Sequence, residues 1–229
     1  MGFAKVAAIA ATTVLLGGVA HAESGEDILK KDCSGCHALS KPASFTVERV
    51  VNRKGPDLYY AGDKFNKPWL VKWLQNPGRI RPAGEFYFNH VKATSEVDTV
   101  DEKSIPSHPG MGNAEAVAVA DALSALSEPG LVEKGGFLNE EVNMTLAGMF
   151  FGKLRGCSAC HMGKPGAGGK SGPELYTAAD RLKPDYILAY IKDPQKIDRY
   201  VWMPKQEMSP ADTQKLAGYI LRLSAGEAK

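Results

Sequence analysis

Two short segments of the sequence combine residues that commonly bind metals and cofactors. Each segment has the pattern Cys-x-x-Cys-His, formed by Cys33, Cys36 and His37 in the first segment and by Cys157, Cys160 and His161 in the second. The sequence has four cysteines, so the two patterns contain all of them. Cysteines at this spacing can form a redox-active disulfide or half of a zinc site. Neither use explains why a histidine directly follows the second cysteine in both segments.

Attachment of a c-type haem explains all three residues of each pattern. The two thiols form thioether bonds to the two vinyl groups of one porphyrin, and the adjoining histidine binds the iron from the proximal side. Two complete patterns therefore predict two covalently attached haem c groups. His37 and His161 are the predicted proximal iron ligands.

A longer repeat follows each cysteine pattern. Residues 55–77, "GPDLYYAGDKFNKPWLVKWLQNP", align without a gap with residues 172–194, "GPELYTAADRLKPDYILAYIKDP". Phe65 aligns with Leu182, and the two copies share the Gly-Pro start, the final proline and several positions between them. Repetition over this length indicates an internal duplication of one structural unit.

The spacing of apolar residues predicts an all-α fold. In each copy an amphipathic helix precedes the cysteines, a second helix follows the Gly-Pro turn, and a third helix closes the copy. The second helix is expected to end before Pro77 or Pro194, because proline does not continue a helix. Ser209 is a typical N-cap for the last helix, with Pro210 at its first position. No segment shows convincing strand alternation.

Composition predicts where the domains begin and end. Residues 1–22 contain one lysine, an apolar run and the small-residue pattern Ala-His-Ala, which is typical of a cleavable secretory signal peptide rather than a membrane anchor. The first domain is predicted at residues 23–128 and the second at residues 137–229. Residues 129–136 lie between them in a segment rich in turn formers, which predicts a linker.

Each half resembles a class I cytochrome c domain, and the tandem arrangement is similar in plan to cytochrome c4. The resemblance rests on the first helix, Cys-x-x-Cys-His, the Gly-Pro-x-Leu turn, the aromatic helix and the closing helix, and it covers nearly all of the chain after the predicted signal peptide. It implies that the backbone carbonyls of Pro56 and Pro173 accept hydrogen bonds from the proximal histidines. Such a contact fixes the tautomer and orientation of a ligating imidazole.

The resemblance also implies a distal iron ligand shortly before each closing helix. In the second copy Met203, followed by proline, is the predicted ligand, and Met208 is a core residue. Thioether ligation of this kind raises the reduction potential.

The first copy departs from this pattern, because an insertion at about residues 84–107 precedes its closing helix. The insertion is polar and acidic, which suits a partner-contact loop or a plain solvated loop. His108 and Met111 are the two candidate ligands that follow it. An overlay of the closing helices places Met111 on Met208, so His108 is the preferred ligand and Met111 the alternative.

These features predict a periplasmic dihaem c-type cytochrome that transfers single electrons between redox protein partners. It would act as a free carrier or as an electron-transfer subunit of an oxidoreductase, including peripheral association with a membrane complex. Two protein ligands for each iron leave no open position for a substrate. The alternative is a dihaem enzyme of the peroxidase type, with a labile sixth ligand on the first haem. The formal net charge of +2 identifies no partner, and nothing indicates nucleic acid.

Overall fold

The computed structural model describes residues 23–96 and 98–223, so the predicted signal peptide lies outside the described residues. Within this part of the chain no helix is both long and apolar enough to cross a membrane. The described α-helices are α1 (Gly25–Ile28), α2 (Val47–Asn52), α3 (Ala61–Lys64), α4 (Lys67–Gln75), α5 (Asn113–Ala125), α6 (Met144–Met149), α7 (Ala178–Arg181), α8 (Pro184–Lys192), α9 (Pro194–Ile197) and α10 (Pro210–Ile220). The predicted, mainly helical class is confirmed.

Two short antiparallel strand pairs were not predicted. They are β1 (Val91–Lys92) with β2 (Thr99–Val100), and β3 (Met162–Lys164) with β4 (Ala167–Gly168). The first pair lies in the insertion, and the second follows directly after the second Cys-x-x-Cys-His pattern. These two short pairs add little strand to a fold that is otherwise helical, as predicted. Strands of two or three residues are too short to produce a recognisable alternation of side chains.

The helix before each cysteine pattern packs against the helix that closes the same half. α1 continues into a turn of π-helix at Leu29–Cys33, and α6 continues into one at Phe150–Leu154. α1 contacts α5, and α6 contacts α10. Gly25 permits the first of these contacts, because a Cβ atom at this position would lie 1.9 Å from the carbonyl oxygen of Ala118. The ends of each half are thereby held together beside its cysteines.

The aromatic helices end where the sequence predicts. α4 ends at Gln75, two residues before Pro77, and α8 ends at Lys192, two residues before Pro194. The predicted cap of α10 is also confirmed, because the Ser209 side chain accepts a hydrogen bond from the backbone N–H of Asp212 at 3.1 Å. The short helices α2, α3, α7 and α9 were not predicted, since none is longer than six residues.

Two hydrophobic cores occupy the two halves of the chain. One packs α1, α4 and α5 together, with Leu70 and Val119 among its buried residues. The other packs α8 and α10, with Ile187 and Leu216 among its buried residues. Tyr59 and Tyr60 precede α3 in the first half, yet they are buried in the second core. The two halves therefore share side chains and do not fold around wholly separate interiors.

Equivalent segments of the two repeats meet each other where the halves touch. Phe65 and Leu182, which align in the sequence, form an antiparallel β-bridge. The backbone N–H of Asn66 donates to the carbonyl of Arg181, and the N–H of Lys183 donates to the carbonyl of Lys64, each at 2.9 Å. These two hydrogen bonds are equivalent under the repeat alignment. The contact between these two segments is therefore locally symmetric, as in an isologous interface.

The segment predicted as a linker lies against the second half. Leu131 is buried in the second core. The carboxylate of Asp185 on α8 accepts hydrogen bonds from the backbone N–H groups of Gly135 and Phe137, at 2.8 and 2.9 Å. The turn-forming residues between the halves are thus fixed in place by contacts to α8 and to the core.

The acidic side chains of the insertion are largely paired. Asp101 forms an ion pair with Lys92 at 2.9 Å, and Glu102 pairs with Arg79. The Tyr87 hydroxyl donates to Asp98 at 3.0 Å. Lys92 lowers the pKa of Asp101 through its hydrogen bond and charge. The charges of Asp101 and Glu102 are therefore balanced by cations of the first half.

Candidate functional site

One cavity of about 1330 Å³ lies between the two halves and reaches both Cys-x-x-Cys-His patterns. Most of the sequence-predicted site residues line it: Cys33, Cys36, His37, Pro56, His108, Cys157, Cys160, His161, Pro173 and Met203. Met111 is not among the lining residues and instead packs against the first core. Pockets for a single small ligand usually have volumes of about 300–1,000 Å³. The cavity is larger than such a pocket, and both cysteine patterns open into it.

Each histidine of the two patterns contacts a proline carbonyl. His37 Nδ1 lies 2.7 Å from the carbonyl oxygen of Pro56, and His161 Nδ1 lies 2.7 Å from that of Pro173. Because proline is held by its ring, the acceptor has a fixed position. In each half this contact leaves Nε2 as the ring nitrogen available to a metal ion.

A glycine packs against each of these imidazole rings. A Cβ atom on Gly55 would lie 2.4 Å from Cε1 of His37, and one on Gly172 would lie 2.5 Å from Cε1 of His161. Any larger residue would displace the ring from its carbonyl partner. The glycine of the Gly-Pro motif therefore provides space for the histidine, and the proline provides its acceptor.

Burial keeps both histidines neutral. It lowers the pKa of His37 and of His161 below the ordinary value of about 6.5, although the proline carbonyls partly oppose the shift. At neutral pH both imidazoles are therefore uncharged, which is the form that binds a metal ion.

The cysteines do not have the character of a redox-active pair. All four are free thiols. Burial raises the pKa of Cys33 and of Cys157 above the ordinary value. Catalytic Cys-x-x-Cys thiols have a lowered pKa, because the thiolate is the reactive form. Among the described residues no group of three or more His, Cys, Asp and Glu side chains is placed to hold a metal ion.

His108 also lines the cavity, close to His37. The two imidazole centroids are 6.2 Å apart and the rings are tilted by 47°. The His108 ring packs at 4.7 Å from Trp73 on α4. Met111 is held against the end of α4, because its backbone N–H donates to the carbonyl of Leu74 at 3.0 Å. Of the two candidate ligands in the first half, the structure brings His108 to the cavity.

In the second half the cavity is lined by Met203 and Met208. The segment that carries Met203 runs between α9 and α10 without regular secondary structure. Gln195 on α9 steadies this segment, because its side-chain amide donates to the carbonyl of Met203 at 2.7 Å. Both methionines are half-buried, and both pack against the second core.

The sequence did not predict that cationic side chains line the cavity, among them Lys64, Arg81 and Arg181. Lys64 and Arg181 occupy equivalent positions of the repeat, so the conserved positive charge in the alignment was the available signal. Burial, together with neighbouring Arg81, lowers the pKa of Lys64 to about 7. Its ammonium group lies over the rings of Phe65, Tyr186 and Tyr60 at 4.8, 5.6 and 5.9 Å.

A buried ion network joins the halves beside the cavity. Arg53 pairs with Asp198 of the second half at 2.6 Å and with Glu85 of the insertion at 3.0 Å. Glu85 also pairs with Arg81 at 3.3 Å. Burial alone would lower the pKa of Arg53, but the surrounding carboxylates hold it above its ordinary value. The guanidinium therefore stays charged and connects three separate segments of the chain.

Residues 151–220 match the family model described as cytochrome c oxidase, cbb3-type, subunit III. The second half of the chain is therefore similar to a cytochrome c domain. Domains of that family hold covalently bound haem c and transfer electrons. No curated protein and no solved structure matches the chain.

The residues of this cytochrome c domain fit a covalently bound haem. Cys157 and Cys160 are free thiols at the cavity, and the neutral His161 is oriented by Pro173. The cavity wall is mainly apolar but includes Arg181. The buried Nε atom of Arg181 makes no hydrogen bond within the described residues, although it lies 3.5 Å from Glu174. A group with an apolar body and acidic substituents suits these surroundings.

Proposed function

We propose that the chain is a dihaem c-type cytochrome that transfers single electrons between redox protein partners. The observation that carries the proposal is the pair of histidine–proline contacts, 2.7 Å in each half, on one shared cavity. The first half repeats each feature that the cytochrome c domain of the second half uses: two free thiols, a neutral histidine, and a Gly-Pro support. We infer that each half holds one haem and that the two halves are tandem cytochrome c domains.

Haem supplies the one-electron redox couple when bound, and the chain attaches it, orients its ligands and keeps water away. Cys33 and Cys36 attach the first haem, and Cys157 and Cys160 attach the second. His37 and His161 provide the proximal nitrogen in each half. The apolar cavity wall keeps water away from the haems. Fewer water molecules then have to reorient when a haem gains or loses an electron.

Distances within the first half favour His108 as its second iron ligand. Two imidazoles that would hold one metal ion must both lie close to it, because a bond from a metal ion to an imidazole nitrogen is about 2.0 Å long. The His37 and His108 centroids are 6.2 Å apart. Met111, the alternative ligand, packs in the first core.

Met203 is the proposed second ligand of the second haem. It lies at the cavity in a segment whose backbone is held by Gln195. Met208 also lines the cavity, but it directly precedes the N-cap of α10 and packs in the second core. Histidine–methionine ligation favours ferrous iron relative to ligation by two histidines, so the second haem should have the higher reduction potential.

The proposed location is the periplasm, because residues 1–22 have the composition of a secretory signal peptide. The partners are redox proteins. The family whose model matches residues 151–220 is named for an oxidase subunit. We propose peripheral association with a membrane complex as one setting for the carrier.

A redox titration of the matured holoprotein tests the proposal. It should show two one-electron steps, and the reduced protein should not bind carbon monoxide at neutral pH, because both irons have two protein ligands. Stoichiometric carbon monoxide binding would instead favour an enzyme of the peroxidase type with a labile ligand. A single one-electron step of one-haem amplitude would reject the dihaem assignment.

A further inference from the structure

The insertion of the first half reaches across to the second half. Phe86 and Phe88 pack against Trp202, with ring centroids 5.5 and 4.6 Å away and the rings close to edge-to-face. Aromatic pairs with this geometry are attractive beyond the area they bury. Phe88 and Trp202 remain 59% and 56% exposed, so they form a surface clasp and not part of either core.

Trp202 directly precedes Met203, the proposed ligand of the second haem. The segment from Asp198 to Ser209 lies between α9 and α10 and contains no regular secondary structure. A segment of this kind relies on side-chain contacts for its position. The contacts of Trp202 therefore bear directly on where the Met203 thioether lies.

The first half holds this segment at two points. At one end, Asp198 pairs with Arg53 at 2.6 Å. Four residues later, Trp202 lies against Phe86 and Phe88. Glu85, next to Phe86 in the sequence, is fixed by its pair with Arg53 at 3.0 Å. The clasp is therefore attached, through Glu85, to the buried ion network around Arg53.

We propose that Phe86 and Phe88 are positioning residues for the second haem: through Trp202 they hold Met203 in the position from which it binds iron. The inference rests on the proposed function, and specifically on Met203 as a ligand. It gives the insertion a role within the protein, because His108, the proposed ligand of the first haem, directly follows it. Through Trp202 the insertion also contacts the segment that carries Met203.

Competition by free imidazole tests the proposal on the matured, full-length ferric holoprotein. Imidazole replaces Met203 on the iron, so its apparent affinity reports how firmly the methionine is held. Phe88→Ala and Trp202→Ala should raise that affinity roughly 2- to 10-fold, the range expected from losing one aromatic pair. The charge-transfer band of the methionine–iron bond should disappear at correspondingly lower imidazole concentrations. Phe88→Tyr keeps the ring and should restore the wild-type affinity.

Tyr87→Ala is the matched control. Tyr87 lies between the two phenylalanines and contacts Phe88 and Asp98, but its ring is not paired with Trp202. Because Tyr87 touches the clasp only at Phe88, the imidazole affinity of Tyr87→Ala should change by less than half as much as that of Phe88→Ala. Unchanged affinity in both Phe88→Ala and Trp202→Ala would overturn the proposal. Met203→Ala tests the ligand assignment separately from the clasp. If the methionine–iron charge-transfer band survives in that variant, Met203 is not the ligand, whatever the clasp variants show.

Discussion

Phe65 and Leu182 pair with each other across an antiparallel β-bridge, although 117 positions separate them and they are equivalent residues of the repeat. A duplicated unit that meets its own copy at the same residue forms an isologous contact, as a symmetric dimer does. Lys64 and Arg181, which are also equivalent in the repeat, both line the cavity. The symmetry of the chain therefore extends from its backbone contacts to the charges beside the proposed haems.

Asn66 should be a major contributor to the contact between the halves. Its side-chain amide donates to the carbonyls of Ala179, Asp180 and Leu182, at 3.1, 3.0 and 3.2 Å. Asn66→Ala would leave these acceptors without that donor, and the free energy of unfolding should fall by about 1–3 kcal/mol. Denaturant unfolding of the holoprotein measures the change. Gln75→Ala, which removes an exposed contact within α4, is the control and should change stability by less than half as much.

Gly55→Ala and Gly172→Ala should each disturb the proximal histidine of their own half. The added methyl group would meet the imidazole ring at 2.4 or 2.5 Å, and relieving such a clash costs about 1–3 kcal/mol. We expect a lower yield of matured protein and a less stable haem environment in the altered half, measured by denaturant unfolding followed at the haem absorption. Gly152→Ala has its nearest neighbour atom at 3.7 Å and should behave like the wild type.

Sequence alone predicted the cysteine patterns, the histidines, the helices α4, α8 and α10, and the proline acceptors implied by resemblance. These features depend on local spacing, which a sequence displays directly. The burial of Tyr59 and Tyr60 in the opposite core and the clasp on Trp202 were not predicted. They depend on how the two halves pack against each other, and the spacing of residues in the sequence does not predict that packing. The repeat alignment places a cationic residue at the same position of both copies, Lys64 and Arg181, and this could have predicted positive charge in the cavity wall.

The reduction potentials should depend on pH through Lys64. Its pKa is about 7, so it is mostly charged below that pH and mostly neutral above it. A positive charge in the cavity wall stabilises the reduced state, which is the less positive one. The potentials should therefore be highest at acidic pH and fall as the pH rises through about 7. Potentiometric titration between pH 5.5 and 8.5 measures this. In Lys64→Gln the reduction potentials at acidic pH should be lower than those of the wild type, and the fall of the potentials around pH 7 should be missing.

Spectra of single variants should separate the two candidate ligands of the first haem. The ferric wild type should show the methionine–iron charge-transfer band at one-haem intensity, because only Met203 is a thioether ligand. His108→Ala should alter the haem spectrum, and Met111→Ala should leave the band intact. An unchanged spectrum in His108→Ala, or loss of half of a two-haem band in Met111→Ala, would transfer the assignment to Met111.

The number of covalent haems tests the central claim most directly. The intact mass of the denatured, matured protein should exceed that of the polypeptide by two haems. The matched double variants Cys33→Ala/Cys36→Ala and Cys157→Ala/Cys160→Ala should each retain one haem, attached to the pattern left intact. The account would be contradicted if the wild type carried one haem and the Cys33→Ala/Cys36→Ala variant kept it. The first half would then carry no haem.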